Sequence, residues 1–268
     1  MGISATKPTT STGKMYHINC GHNDLPSYVL VPGDPGRVKT IAELWTDQYV
    51  VSDKRGLLSM RGTYEQKDIG ACATGMGGPS AAIVAIELAG IGTETMIRVG
   101  SCGSIVPNIR EGNLVIIEDA LSGYDGITQC YFDVLPERFV VTPRIKNALL
   151  KAALQQGYNL EDNLHFVTTA TTSDFFLGQG RPLPNSYDTT YSQKIVDEVR
   201  EKGAKIFEME ASVLFALAKI MNYDTGGICG VVANRVTNSF LGTNEILEME
   251  RDLGKIASEA VRLLYEES

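Results

Sequence analysis

Two arginines follow predicted strands and lie beside glycine-rich turns. Residues 96–99 predict a buried strand that carries Arg98 at its end and runs directly into the turn GSCGS. Residues 29–32 predict a second strand, followed by the turn GDPGR, whose Asp34 fits a turn or cap residue, and by a helix from about Arg37. A cation beside free N–H groups at a strand's carboxyl end is typical of anion binding in α/β sheets. The pattern indicates a phosphate site, although an ordinary βαβ unit with a surface arginine would show the same sequence pattern.

A pair of carboxylates lies at another predicted transition from strand to helix. The sequence EMEAS at residues 208–212 places Glu208 and Glu210 there. A carboxylate in this position can accept hydrogen bonds from two neighbouring hydroxyls, as ribose recognition requires. An acidic residue is also favoured at a helix start by the helix dipole alone. Both interpretations stay open at this point.

A long predicted loop at residues 173–188 combines aromatic, amide and guanidinium side chains. Phe175 and Phe176 are followed by Gln179 and Arg181. An aromatic face stacks on a flat ring, glutamine both donates and accepts, and arginine offers a planar fork of donors. A pyrimidine amide edge alternates acceptor, donor and acceptor, so these side chains fit uracil. Alone, they would also fit a surface loop with one ion-pairing arginine.

Strands and helices alternate along the chain that must position these groups. Further strands are predicted at residues 68–74, 113–120, 164–172, 204–208 and 226–236. Helices are predicted at residues 37–45, 79–90, 143–157, 189–202, 211–221 and 244–266, the third with Thr142 as its N-cap. This alternation predicts an α/β fold with one three-layer αβα domain and a mixed, largely parallel central sheet. We assign that domain to residues 15–268 and expect residues 1–14 to be a disordered tail.

Composition narrows the class of partner. The 268 residues carry a formal net charge of −8 with 43% hydrophobic content, which argues against nucleic acid and anionic membranes as partners. Five scattered cysteines without C-x-x-C spacing predict free thiols, no metal site and a cytoplasmic location. No apolar run is long enough to span a bilayer. Gly2 fits a short acylation pattern, but such patterns are common by chance.

Six segments, in order, resemble the nucleoside phosphorylases of the uridine and trimeric or hexameric purine phosphorylase type. They are VPGDPGRV (31–38), TGMGGPSAAIVAIEL (74–88), IRVGSCGS (97–104), GQGR (178–181), EMEAS (208–212) and VVANR (231–235). The resemblance extends from about residue 16 to the C-terminal helix. The GQGR loop and the Asn234-Arg235 pair favour the uridine branch, because purine phosphorylases usually carry an aspartate near the latter position.

The resemblance implies a role for each matched residue. Those that match the phosphate site are Gly33, Arg37, Arg98 and Ser101, with Arg55 donated by a neighbouring subunit. The ribose contacts are Met209 and Glu210, with His17 reaching the neighbour's ribose. The base contacts are Gly103, Phe175 or Phe176, Gln179 and Arg181, with Arg235 near the base through water. Arg98, Arg181 and Arg235 would be the catalytic group.

The implied activity is phosphate-dependent cleavage of uridine, or of deoxyuridine or thymidine, to uracil and a pentose 1-phosphate in pyrimidine salvage. Such a pentosyltransferase uses inorganic phosphate as co-substrate, needs no cofactor, and self-associates as a dimer or hexamer with shared sites. The alternatives are a purine phosphorylase, a related nucleosidase that uses water, and a catalytically silent nucleoside-binding protein. Retention of the arginines and of Glu210 argues against the last two.

This chain also departs from the uridine branch. The segment before Gln179 is one residue shorter than usual, so either Phe175 or Phe176 could be the stacking ring. Gly56 occupies the position of a glutamate that follows the donated arginine in enzymes with a structural potassium site. Ser80 remains, but the substitution puts that cation site in doubt.

Overall fold

A computed structural model describes residues 4–267 as one mixed α/β structure. Its strands are β1 (Tyr28–Val31), β2 (Thr46–Lys54), β3 (Leu57–Tyr64), β4 (Lys67–Cys72), β5 (Thr95–Ser104), β6 (Leu114–Leu121), β7 (Arg138–Val140), β8 (Leu164–Thr171), β9 (Ala204–Glu208), β10 (Asp224–Asn234) and β11 (Ser239–Phe240). Its α-helices are α1 (Pro35–Ala42), α2 (Gly78–Gly90), α3 (Pro143–Gln155), α4 (Thr190–Glu201), α5 (Ala211–Met221) and α6 (Thr243–Glu266). The alternation predicted from the sequence is therefore present in the fold.

All these strands belong to one sheet with the order β11-β10-β6-β8-β9-β5-β1-β4-β3-β2, and β7 pairs with β6. The pairs β4–β1, β1–β5 and β5–β10 are parallel, as are β6–β8 and β8–β9. One edge of β5 pairs with β10 along its whole length, and the carboxyl end of its other edge pairs with β9. The strands β5, β10, β6, β8 and β9 therefore close into a ring. This closure holds the ends of distant strands around one space.

Helices cover both faces of the sheet, which gives the expected three layers. Helices α2 and α5 share one apolar cluster with one face, and α1, α3 and α6 share a second cluster with the other. On one stripe of α6, Leu253, Ile256, Ala260 and Leu264 are all fully buried, and Ile246 of the same stripe is half-buried. The strands are therefore buried between helices, and the carboxyl ends of the strands are the part of the sheet left for a binding site.

The sequence analysis missed the antiparallel hairpin β2–β3 and two short strands, β7 and β11. Most of β2 is exposed and lacks an alternating apolar pattern. Its two-residue turn is Arg55-Gly56, with φ of 59° and 76°, rather than the Asn-Gly or Asp-Gly that signals such turns. Pairing with β3 across the sheet, rather than local pattern, therefore gives β2 its structure.

Two predicted caps have different outcomes. Asp34 caps α1 as expected, because its Oδ1 accepts a hydrogen bond from the Gly36 N–H at 2.8 Å. Thr142 occupies the N-cap position of α3, but its side chain makes no capping bond. Its hydroxyl instead accepts from the Thr225 N–H at 3.0 Å, which joins α3 to β10.

Residues 4–14 form turns, and Thr9 makes a single antiparallel bridge with Met15. The disorder expected for residues 1–14 stays a prediction. The acylation pattern at Gly2 lies outside the described residues. Among the helices of residues 4–267, none combines the length and the apolar character that a membrane span requires.

Candidate active site

A cavity of about 280 Å³ lies at the carboxyl ends of β1, β5 and β9. The register explains why the two arginine segments meet there, since Val31 at the end of β1 pairs with Arg98 on β5. The prediction of a turn at GSCGS (100–104) is wrong, because these residues continue β5 and pair with β10. The predicted site residues that line the cavity are Gly33, Arg37, Arg98, Ser101, Gly103, Phe175, Gln179, Arg181, Met209 and Glu210. The structure therefore brings together groups that lie up to 177 positions apart in the chain, from Gly33 to Glu210.

Arg98 lies between two carboxylates and is only 3% exposed. Its Nε is 2.9 Å from Oε2 of Glu208, and its Nη2 is 2.7 Å from Oε2 of Glu210. A Cβ at Gly100 would lie 2.8 Å from Arg98 Nη2, so the guanidinium lies directly against the Gly100 backbone. Arg98 is therefore a held, buried cation rather than a surface arginine.

Electrostatics in this cluster follow from burial and the short contacts. Burial alone would lower the pKa of Arg98, but Glu210 and Glu208 raise it above its ordinary value. Burial raises the pKa of Glu210 above the ordinary carboxyl value, and the nearby Arg98 offsets only part of this. Glu210 also accepts the Gly77 N–H at 2.6 Å. The site thus holds a cation and a strong hydrogen-bond acceptor side by side, away from water.

The sequence analysis left the role of Glu208 open, and the structure makes it the N-terminal anchor of α5. Its Oε2 accepts the backbone N–H groups of Glu210 and Ala211 at 2.9 and 2.8 Å. Its Oε1 accepts the hydroxyl of Thr171 on the neighbouring strand β8. Glu208 therefore fixes both Arg98 and the turn that carries Glu210.

The loop after β8 supplies the aromatic and amide part of the cavity. Arg181 donates through Nη1 to the carbonyl oxygen of Phe175 at 2.8 Å and to Oε1 of Gln179 at 2.5 Å. Its guanidinium carbon lies 4.0 Å from the centroid of the Phe175 ring. Burial, with a further contribution from Arg235, lowers the pKa of Arg181 to about 10. Phe175 lines the cavity and Phe176 does not, which distinguishes the two candidate rings.

Arg235 does not line the cavity but contacts the backbone of this loop. Its Nη1 donates to the carbonyl oxygen of Gln179, and its Nη2 donates to that of Gly180 at 3.0 Å. Gly180 has φ +69°, and a Cβ there would lie 2.7 Å from the carbonyl oxygen of Ser192. The loop is therefore fixed by the two hydrogen bonds from Arg235 to its backbone and by a tight turn that requires glycine at residue 180.

His17 and Arg55 lie outside the cavity of their own chain, and the fold brings them near each other. Tyr16 connects them, because its ring lies 5.0 Å from the His17 ring and 5.4 Å from the Arg55 guanidinium. Nδ1 of His17 is 2.6 Å from Oε1 of Glu87 on α2. Glu87 also accepts the backbone N–H groups of His17 and Ile18. The two residues implied to serve a neighbour thus form one cluster on the surface.

Several residues that shape the site were not predicted. The cavity is also lined by Met76, Phe207, Val232, Ala233 and Phe240. Glu250 on α6 pairs with Arg37 at 2.6 Å. A signal for Glu250 exists in the sequence, because it lies on the apolar stripe of α6, where a charge needs a partner. No group of three or more His, Cys, Asp or Glu side chains in residues 4–267 is arranged to hold a metal ion.

Sequence comparisons agree with the fold. The phosphorylase superfamily matches residues 27–265, and the chain belongs to this family. A uridine phosphorylase of Thermococcus kodakarensis is 40% identical over 264 residues, which cover 98% of this chain and 91% of the relative. A uridine phosphorylase of Escherichia coli is 31% identical, over 95% of this chain and 99% of the relative. A guanosine phosphorylase of Halorubrum lacusprofundi is 28% identical, over 93% of this chain and 96% of the relative.

Proposed function

We propose that this protein catalyses the phosphate-dependent cleavage of uridine to uracil and ribose 1-phosphate. The observation that carries the proposal is one cavity with an arginine pair at one part and an amide–guanidinium–aromatic group at another. Glu210 lies beside Arg98, where an acceptor for ribose hydroxyls is needed. The matched uridine phosphorylases support the same activity.

The proposed reaction needs no nucleophile from the protein. Phosphate attacks the anomeric carbon of the ribose while the glycosidic bond to N1 of uracil breaks, and the bonding electrons leave with the base. The proton that the attacking hydrogen phosphate gives up ends on N1 of the departing uracil. Arg37 and Arg98 hold the phosphate dianion in line with that bond, which contributes through positioning and electrostatics. Inorganic phosphate is a co-substrate, and the reaction requires no cofactor.

Gln179 and Arg181 favour a pyrimidine leaving group. Since Gln179 Oε1 already accepts a bond from Arg181, its NH₂ group remains to donate to a carbonyl oxygen of the base. Arg181 can donate to a second carbonyl oxygen of the base. Both hydrogen bonds become stronger as negative charge accumulates on the departing uracil. Asn234 accepts the N–H groups of Val236 and Thr237 and donates to the carbonyls of Val106 and Ile109. An amide thus occupies the region where purine enzymes usually carry an aspartate.

We also propose that two copies of the chain complete each other's sites, with His17 and Arg55 donated across the interface. The support is their cluster around Tyr16, which lies apart from the chain's own cavity. A two-fold dimer is the smallest assembly that satisfies this arrangement, and three such dimers would make a hexamer. The cytoplasmic location stays a prediction based on the cysteines, all five of which are free.

The direct test compares uridine, thymidine, inosine and guanosine with and without phosphate. We expect uracil and ribose 1-phosphate from uridine only when phosphate is present, and much slower cleavage of both purine nucleosides. Product identity is read by chromatography of the base and by analysis of the sugar phosphate. Guanosine or inosine turnover equal to that of uridine would overturn the substrate assignment, and uridine loss without phosphate would indicate hydrolysis.

A further inference from the structure

Glu250 is a buried carboxylate on α6 that contacts one of the two arginines of the site. Its Oε1 accepts from Nη2 of Arg37 at 2.6 Å and from Nε at 3.1 Å. The exposed fraction is 8% for Glu250 and 7% for Arg37. Arg37 lines the cavity, whereas Glu250 does not. The contact between α6 and the site is therefore made through the Arg37 guanidinium.

The contacts of Arg37 determine which of its N–H groups remain for a ligand. A guanidinium has five N–H donors, one on Nε and two on each Nη. Glu250 engages the Nε–H and one N–H of Nη2, and the carbonyl oxygen of Val99 accepts from Nη1 at 3.3 Å. One N–H on each Nη is not used by these three contacts. A guanidinium with one unused N–H on each Nη can donate to two oxygens of a phosphate.

The two arginines of the site differ in where their carboxylate partners lie. Arg98 is paired with Glu208 and Glu210, which both line the cavity, so an entering anion competes with them. The partner of Arg37 lies outside the cavity lining, so an anion can bind Arg37 while the contact with Glu250 persists. Arg37 is consequently oriented before the anion arrives.

We propose that Glu250 is a positioning residue for phosphate binding, which holds Arg37 with its free N–H pair toward the phosphate oxygens. The proposal rests on the proposed function, because that function makes the anion phosphate. Two effects of the carboxylate oppose each other, since its charge repels an anion while its bonds fix the fork. We expect orientation to outweigh repulsion, because a free arginine side chain loses rotamer entropy when it binds the anion.

The test measures phosphate binding to the nucleoside-free protein by titration calorimetry and the Michaelis constants for phosphate and uridine. We expect Glu250→Gln to weaken phosphate binding and raise the phosphate constant about tenfold, which equals about 1.4 kcal/mol. The uridine constant should change less than about twofold, a split that a general loss of packing would not produce. Ser258→Ala is the matched control, because Ser258 also joins α6 to the segment after α1, through Trp45 at 2.9 Å. This control should leave phosphate binding unchanged.

A double-substitution cycle with Arg37→Lys then separates positioning from other effects. In the Arg37→Lys protein, adding Glu250→Gln should weaken phosphate binding less than about twofold further, because the fork that Glu250 holds is already gone. Unchanged or tighter phosphate binding in Glu250→Gln would overturn the proposal and show that charge repulsion prevails. If Glu250→Gln does not fold, Glu250→Asp must show the same selective loss, and normal phosphate binding in it overturns the proposal. A wild-type protein that binds phosphate but does not cleave uridine would overturn the proposed function and leave this test of Glu250 intact.

Discussion

At the scale of single residues, the site is a set of buried charges that satisfy one another. Arg98 is enclosed by Glu208 and Glu210, and Arg37 is held by Glu250. A chain that had to maximise only stability could replace such pairs by apolar residues at little cost. Removing one partner of a buried pair is different, because it leaves an uncompensated charge. Substitutions here therefore affect folding and catalysis together.

Arg98 illustrates this, since it lies within β5 between two buried carboxylates. Its burial means that Arg98→Ala should lower the free energy of unfolding by about 3–5 kcal/mol, because two carboxylates lose their cation. Arg98→Lys keeps the charge but not the fork. We expect it to lose about 2.7–4 kcal/mol of transition-state stabilisation while remaining folded. Urea unfolding and kcat/KM on the same preparations measure both effects, and near-normal turnover in a folded Arg98→Lys protein would exclude Arg98 from the site.

At the scale of elements, the loop after β8 determines which aromatic, amide and guanidinium side chains line the cavity. Asp174 accepts the Gly178 N–H at 2.6 Å, and the Ser173 hydroxyl donates to the carbonyl oxygen of Asp125 at 2.6 Å. Arg235 holds the carbonyls of Gln179 and Gly180 from the other side. These contacts fix the loop at both ends and direct Phe175 to the cavity.

The two neighbouring rings of this loop provide a matched pair of variants. Phe175→Leu should raise the Michaelis constant for uridine about fivefold or more, because base–aromatic stacking contributes about 1–3 kcal/mol. Phe176→Leu, with a similar exposed fraction of 42% against 45%, should change it less than about twofold. The phosphate constant should stay the same in both. A larger effect of Phe176→Leu than of Phe175→Leu would mean that the loop presents the other ring when substrate is bound.

At the scale of the whole molecule, the cavity of one chain lacks two residues that its family resemblance assigns to the site. Arg55 lies in the β2–β3 turn and His17 precedes β1, and neither lines the cavity. A second copy related by a two-fold axis could supply both residues at once, because they share the Tyr16 cluster. The proposed activity would then belong to the assembly rather than to the single chain.

Mixing two inactive variants tests this assembly. Arg55→Ala and Arg98→Lys chains should each be inactive alone, and subunit exchange should restore activity, because one site of a mixed dimer carries both wild-type arginines. About a quarter of wild-type activity is expected for equal amounts of the two chains, because random pairing makes about half of the dimers mixed and one of the two sites in each mixed dimer is intact. Exchange is verified first with differently tagged chains. Failure to recover activity after confirmed exchange, or full activity in a strictly monomeric preparation, would refute the shared site.

Much of the site could be predicted because its chemistry is local in the sequence. The strand-to-turn motifs around Arg37 and Glu210 carry their own geometry, since glycine turns and strand ends position nearby side chains without distant help. Arg98 differs, because it lies within β5 and is held by its carboxylate partners. The parallel strands then had to meet at one edge, and the register of β1 with β5 confirms that they do. The fold class followed from the alternation of strands and helices for the same reason.

Tertiary structure alone decided the features that depend on residues far apart in the chain. Strand β2 has no apolar alternation and forms because β3 pairs with it, and the ring closes only because β5 pairs with both β10 and β9. The carboxylate that holds Arg37 lies 213 positions away on α6. A local pattern shows that a charge is buried, but which opposite charge meets it depends on how helices and strands pack. The sequence therefore determined what chemistry the chain carries, and packing decided which groups hold it in place.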